Sequence, residues 1–143
     1  MRLNLAVIAI VGLTITEVSA VSQNTIRSVW SGVYTASQAE HGQASYGKVC
    51  ASCHGDQLEG ENETPPLTGD EFMAIWDGHT VGELFDRVRT TMPSDHPGTL
   101  SPEDYAAILA YILESNKFPA GETDLPHQSE ALKQISLDAK KPK

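Results

Sequence analysis

The sequence predicts an all-α fold of short helices, and three observations predict it. Apolar residues recur at spacings of three and four in three separate stretches, around Ala39–Cys53, Val81–Val88 and Tyr105–Ile112. Residues that open helices stand ahead of each: Thr35 or Ser37, Thr80 with Glu83, and Ser101 with Pro102. The third observation is Cys50-Ala51-Ser52-Cys53-His54, which holds the only two cysteines in the chain. Two thiols three residues apart share one face of a helical turn. With a His directly after the second Cys, the pattern reads as a covalent haem-attachment site. The helices are then expected to pack around one bound porphyrin, without which the chain folds poorly.

Other readings of the motif fit less well. A structural zinc site needs four ligands, usually with a second Cys or His pair, and His79, His96 and His127 are widely scattered. A thioredoxin-like pair belongs near a βαβ pattern, whereas the residues before Cys50 read as helix. A disulfide within the motif leaves the adjacent His54 without a role.

The chain divides into four stretches. Residues 1–20 carry Arg2, an apolar run from Leu5 to Ile15, and the small residues Val18-Ser19-Ala20, the pattern of a secretory signal. The run is short for a membrane span, which needs about 20 residues, so a membrane association is expected only if this segment stays uncleaved. Residues 21–34 read as an arm laid on the domain, with Trp30 as its packed anchor. Residues 35–119 form the main domain. Residues 120–143 show no strong periodicity and end in Lys140-Lys141-Pro142-Lys143, read as a solvated tail.

Within the main domain the first helix runs from Thr35 or Ser37 to Cys50. Gly42 in its middle costs about 1 kcal/mol relative to Ala, which points to another helix crossing closely there. Gly55 can end the haem-binding turn. Residues 56–69 form a loop broken by Gly60, Pro65, Pro66 and Gly69. A ligating His donates its second ring N–H to a carbonyl or carboxylate, and the stiff Pro65-Pro66 segment can present one. Asp70 can cap a short helix carrying Phe72, Ile75 and Trp76. The Trp76 indole reads either as a donor to a haem propionate or as core. Thr80 and Glu83 make a capping box for the next helix.

Met92 stands in a stiff loop beside Pro93. A thioether is a common second axial ligand in electron-carrying haem proteins and raises the potential. Met73, His96 and His79 are its rivals, and an open position is the remaining alternative. The final helix starts at Ser101-Pro102 and ends by Asn116 and Pro119.

Net charge is −9. Loss of residues 1–20 removes Arg2 and Glu17 together and leaves that value unchanged. Such a surface excludes nucleic acid, whose phosphates need Lys and Arg. It suits a partner with a basic patch, or serves solubility alone.

In these features the chain resembles the small bacterial c-type cytochromes of the class I fold, over roughly Ala39 to Phe118. Gly42 and Tyr46 match that family's contact pair on the first helix, and Ile108 and Tyr111 their counterparts on the last. Pro65 matches the carbonyl acceptor for the axial His, and Met92 the distal ligand. Ser28-Val29-Trp30-Ser31-Gly32-Val33-Tyr34, Thr91-Met92-Pro93 and Pro97-Gly98-Thr99-Leu100-Ser101 are similar to the single-haem cytochromes that accompany quinoprotein (PQQ) dehydrogenases. The resemblance implies a non-enzymatic electron carrier with one haem c. Its axial ligands would be His54 and Met92, its compartment the periplasm, and its partners a quinoprotein dehydrogenase and a terminal oxidase. A haem enzyme or gas sensor with an open distal position, and a fixed subunit of a dehydrogenase complex, are the alternatives.

Overall fold

A computed structural model describes residues 26–143. The expected secretory segment 1–20 and the start of the arm, 21–25, lie outside the described residues. In chain order the elements are β1 (Arg27–Ser28), a 3-10 turn (Val29–Ser31), α1 (Ala36–Val49), α2 (Ala51–His54), α3 (Gly69–Trp76), α4 (Val81–Thr91), α5 (Pro102–Ser115), α6 (Ser129–Leu132) and β2 (Ile135–Ser136). No helix among the described residues is long and apolar enough to cross a membrane.

Helix starts follow the cap chemistry in the sequence. Thr35 opens α1 by accepting from the Gln38 amide at 3.1 Å, and Ser101 opens α5 by accepting from Asp104 N at 3.0 Å, with Pro102 next. Each cap satisfies an amide that has no partner within the helix. The expected cap for α3 is corrected. Its N-cap is Thr68 rather than Asp70, and no side chain caps it locally. The Gly69 amide donates instead to Asn116 Oδ1, at the far end of α5, at 3.0 Å.

Thr80 and Glu83 form the expected reciprocal box on α4, with Thr80 Oγ1 accepting from Glu83 N and Glu83 Oε2 accepting from Thr80 N. Thr80→Ala removes this cap and is expected to cost about 1 kcal/mol in thermal unfolding near neutral pH. The Thr80 backbone bond, and then its hydroxyl, hold the Glu83 carboxyl below the usual carboxylate value. A carboxyl depressed in the folded state stabilises the fold above its unfolded pKa, and that contribution fades as pH falls through the lower folded value. Part of the wild-type advantage over Thr80→Ala should therefore vanish on acidification below about pH 4. An unchanged difference at pH 3 would show that the Thr80 cap does not depend on the Glu83 charge.

α1 crosses α5 so closely that a Cβ on Gly42 would overlap the Ala107 carbonyl. Tyr46, one turn further on, stacks at a tilt on Tyr111, with centroids 5.4 Å apart. This crossing is the frame on which the other elements are hung.

The periodicity of α5 predicts one apolar stripe. The structure buries every residue from Tyr105 to Leu113. The reason lies in the two ends of the chain. Val29, Val33 and Tyr34 from the arm join the same core as Leu125, Leu132, Ile135 and Leu137 from the segment read as a tail. β1 and β2 pair in parallel, Arg27 opposite Ile135 and Ser28 opposite Ser136. Trp30 sets its ring edge-on to Phe118 at 4.9 Å and donates from Nε1 to Asp138 O at 2.8 Å. Residues 120–139 thus form a strap over α5 and α4, and only the Lys140–Lys143 end is fully exposed, as expected.

Candidate haem site

Cys50 closes α1 and opens α2, so the motif sits at a bend between two helices. Its backbone N donates to Tyr46 O at 2.8 Å, and the His54 amide donates to Cys50 O at 3.0 Å. The single turn of α2 therefore holds Cys50 and Cys53 in the same helical turn, as the spacing requires. Cys50 is half-buried and Cys53 exposed. Burial, then the neighbouring Cys53, pushes the Cys50 thiol up to about 11. A reactive Cys-x-x-Cys pair needs a lowered thiol pKa, so the site is ill-suited to dithiol redox chemistry. Among the described residues no group of three or more His, Cys, Asp or Glu is arranged to hold a metal ion, which removes the zinc alternative from this part of the chain.

His54 is the one buried polar or charged residue among those described, 8 % exposed. Gly55 ends the turn at φ +79°, a conformation glycine adopts without strain. The chain then doubles back, and Gly60 N donates to His54 O at 2.8 Å. This return brings Pro65 O to 3.1 Å from His54 Nδ1. With Nδ1–H donating to that carbonyl, Nε2 carries the free lone pair. Tyr46 adds a second restraint, its hydroxyl donating to Gly55 O at 2.6 Å. Burial pushes this phenol well above its ordinary pKa, so it stays a donor.

Met92 is the C-cap of α4, half-buried, with its amide donating to Val88 O at 2.8 Å. Its carbonyl accepts from the buried Tyr105 hydroxyl at 2.7 Å. Of the rival ligands, Met73 lies half-buried on α3. His79 pairs with Glu83 at 3.5 Å and His96 with Asp95 at 3.1 Å, both on exposed surface. Trp76 lies half-buried at the end of α3, between the Phe72 ring at 6.4 Å and the His79 ring at 5.7 Å.

These residues fit a haem. Leu67, Met73, Trp76, Val88 and Leu100 each pack one side on the core and leave the other side partly uncovered. Leu67 lies in the loop of the Pro65 carbonyl, Met73 and Trp76 on α3, Val88 on α4 ahead of Met92, and Leu100 in the loop before α5. A broad apolar plate bonded to Cys50 and Cys53 would cover them. An imidazole with one nitrogen engaged, beside two thiols on one turn, is the set of groups that a covalently held haem takes.

Sequence comparison agrees. The family model for cytochrome c oxidase, cbb3-type, subunit III, matches residues 37–112, from the first turn of α1 into the last turn of α5. The chain belongs to this family. Residues 37–112 are an electron-transfer cytochrome domain with covalently bound haem c, and the chain is a single-haem c-type cytochrome. The crystal structure of the sulfane dehydrogenase SoxCD from Paracoccus pantotrophus is similar, with a TM-score of 0.53 and 28 % identity. The match covers 81 % of this chain and 61 % of that one, so this cytochrome spans about three-fifths of the SoxCD chain it resembles. Comparison with curated proteins finds no match.

Three polar contacts of the cytochrome are not legible in the spacing. Tyr46 and Tyr105 read as members of apolar stripes, and Asn116 only as a helix end. The available signal was the hydroxyl itself, since a buried Tyr usually finds a partner for its O–H.

Proposed function

We propose that this cytochrome carries single electrons between an exported dehydrogenase and a terminal acceptor, in the periplasm. Cys50 and Cys53 would hold the porphyrin by thioether bonds, and His54 and Met92 would ligate its iron. The observation that carries this reading is the buried His54 ring, oriented by Pro65 O at 3.1 Å so that Nε2 is the free nitrogen. When bound, the haem supplies the one-electron couple between ferric and ferrous iron.

The protein's own residues do the rest. The Pro65 carbonyl accepts a hydrogen bond from His54 Nδ1–H, fixing the tautomer and raising the basicity of the ligating nitrogen. Trp76, half-buried at the end of α3, would donate its indole N–H to a propionate. Leu67, Val88 and Leu100 exclude water. Two protein ligands leave no position for a substrate, which argues against an enzyme. The periplasmic setting rests on the secretory pattern of residues 1–20.

The net charge of −9 suits a redox partner with a basic face. Encounter with such a partner slows as salt shortens the Debye length from about 10 Å at 0.1 M to about 3 Å at 1 M. A quinoprotein dehydrogenase as donor and an oxidase as acceptor are the proposed pair. The likeness to a chain of a sulfane dehydrogenase favours a second reading, a cytochrome held as a fixed subunit beside a dehydrogenase. Co-purification at a fixed ratio would select that reading over free diffusion.

Absorption spectra of the purified protein, oxidised and reduced, with and without CO, test the assignment. Six-coordinate, low-spin spectra in both states are expected, with a sulfur-to-iron charge-transfer band when oxidised and no rapid CO binding when reduced. Fast CO uptake by the wild-type protein would replace the carrier with a ligand-binding haem protein.

A further inference from the structure

We infer that Asn116, at the C-terminal end of α5, is a positioning residue for the His54 imidazole, acting through the loop that carries the Pro65 carbonyl. The inference rests on the proposed ligation by His54. The acceptor for the His54 ring lies in a segment with no helix or strand of its own, so something outside it must set the carbonyl's place. Upstream, Gly60 N donates to His54 O at 2.8 Å and Leu58 is buried in the core, and next to Pro65 the loop closes on itself through Thr64 N to Glu61 O at 2.8 Å. Downstream, two residues past Pro65, Leu67 N donates to Leu58 O at 2.9 Å, again within the loop.

Downstream of Pro65, one side chain ties the loop to α5 by hydrogen bonds. Asn116 Nδ2 donates to Leu67 O at 2.9 Å, and Asn116 Oδ1 accepts from Gly69 N at 3.0 Å. The second Nδ2 proton goes to Ile112 O in its own helix, also at 2.9 Å. The amide thus uses both donors and its acceptor on backbone groups, and its orientation is set by the donors and acceptor it must match. It sits 47 to 49 residues from its partners in the loop, so these are tertiary bonds and not local capping. α5 is the most deeply buried helix, and its first turns also hold Met92 through the Tyr105 hydroxyl. One rigid helix therefore anchors the backbone behind each proposed axial ligand, Tyr105 on the Met92 side and Asn116 on the His54 side.

The consequence is electronic as well as structural. A carbonyl well placed on Nδ1–H raises the imidazole's basicity, which favours the ferric state. A looser loop weakens that bond and moves the equilibrium toward ferrous iron.

The test uses holo-protein with Asn116→Ala, Asn116→Gly and, as control, Ser115→Ala, whose hydroxyl bonds only to Tyr111 O in the same helix. The helix stop is set by Lys117, left-handed at φ +68°, with Phe118 N donating back to Leu113 O at 3.1 Å, so neither variant removes it, and the Gly variant carries the test if the Ala variant does not fold. In ferrous wild-type protein the ring N–H of His54 should be protected from exchange. Both Asn116 variants are expected to exchange that proton about tenfold faster and to shift the ferric–ferrous equilibrium about threefold toward ferrous, a fraction of the effect of losing a direct outer-sphere partner. Ser115→Ala should move neither. Variants that melt earlier while ring exchange and potential stay at wild-type values would make Asn116 a helix cap only and overturn the inference. A wild-type haem ligand with no protected ring proton would overturn the His54 assignment itself, and this inference with it.

Discussion

Replacing Met92 by alanine should abolish the sulfur-to-iron charge-transfer band of the oxidised cytochrome and open its reduced form to CO. Met92 ends α4, and its carbonyl is held by Tyr105 at 2.7 Å. The backbone therefore stays in place when the side chain is shortened, and no other thioether stands ready there. Met73 belongs to a different helix, and His79 and His96 are engaged with surface carboxylates. Thioether ligation raises the potential, so its loss should lower it by roughly 0.1–0.3 V, part of the ~0.8 V that axial ligation commands. The haem should remain attached, because Cys50, Cys53 and His54 are untouched, and mass analysis checks this. A band that survives the change would transfer the distal role to another residue. Tyr105→Phe is the milder companion. It should keep the ligand and weaken the band, since only the carbonyl restraint is lost.

Gly42→Ala is expected to destabilise the cytochrome by about 2–4 kcal/mol, at the upper end of what overpacking costs. Two effects oppose each other. Alanine is the better helix former by about 1 kcal/mol. Its Cβ, however, would overlap the Ala107 carbonyl and lie 3.0 Å from Ile108 N. Those are backbone atoms of a fully buried helix, so α1 and α5 must move apart, and the Tyr46–Tyr111 contact with them. Sterics should win. Gly47, on the same helix, supplies the control, because a Cβ there meets nothing within 4 Å. Gly47→Ala should therefore raise the stability by up to about 1 kcal/mol. Thermal unfolding of the two holo-variants reads the difference. If Gly42→Ala melts with wild type, the helices do not cross at that distance.

The helices were readable from residue order because their signals are local. A cap such as Ser101 acts on an amide three residues away, and the Thr80–Glu83 box closes within one turn. The attachment motif was readable for the same reason, since two thiols and an imidazole within five residues need only one helical turn to share a site. The strap was not. Leu125, Leu132, Ile135 and Leu137 are all buried in the core but stand seven, three and two residues apart, so they follow no single period. Asp70 was the natural cap for α3 by local rules, and a residue 47 positions away took that place instead.

By itself the sequence determined the helix starts marked by Thr35, Thr80 and Ser101 and the motif for covalent haem attachment, and it offered His54 and Met92 as the axial pair. Each depends on side-chain type and near spacing, and so on interactions that close within a turn or two. Tertiary structure alone decided how those ligands are held. It set the Pro65 carbonyl, already offered by the sequence, at 3.1 Å from His54 Nδ1, brought Tyr105 to the Met92 carbonyl and Asn116 to the loop, and buried α5 from Tyr105 to Leu113 beneath the chain's own ends. A hydrogen bond between distant residues is specified only when packing fixes both partners, and no periodicity along the chain encodes that distance.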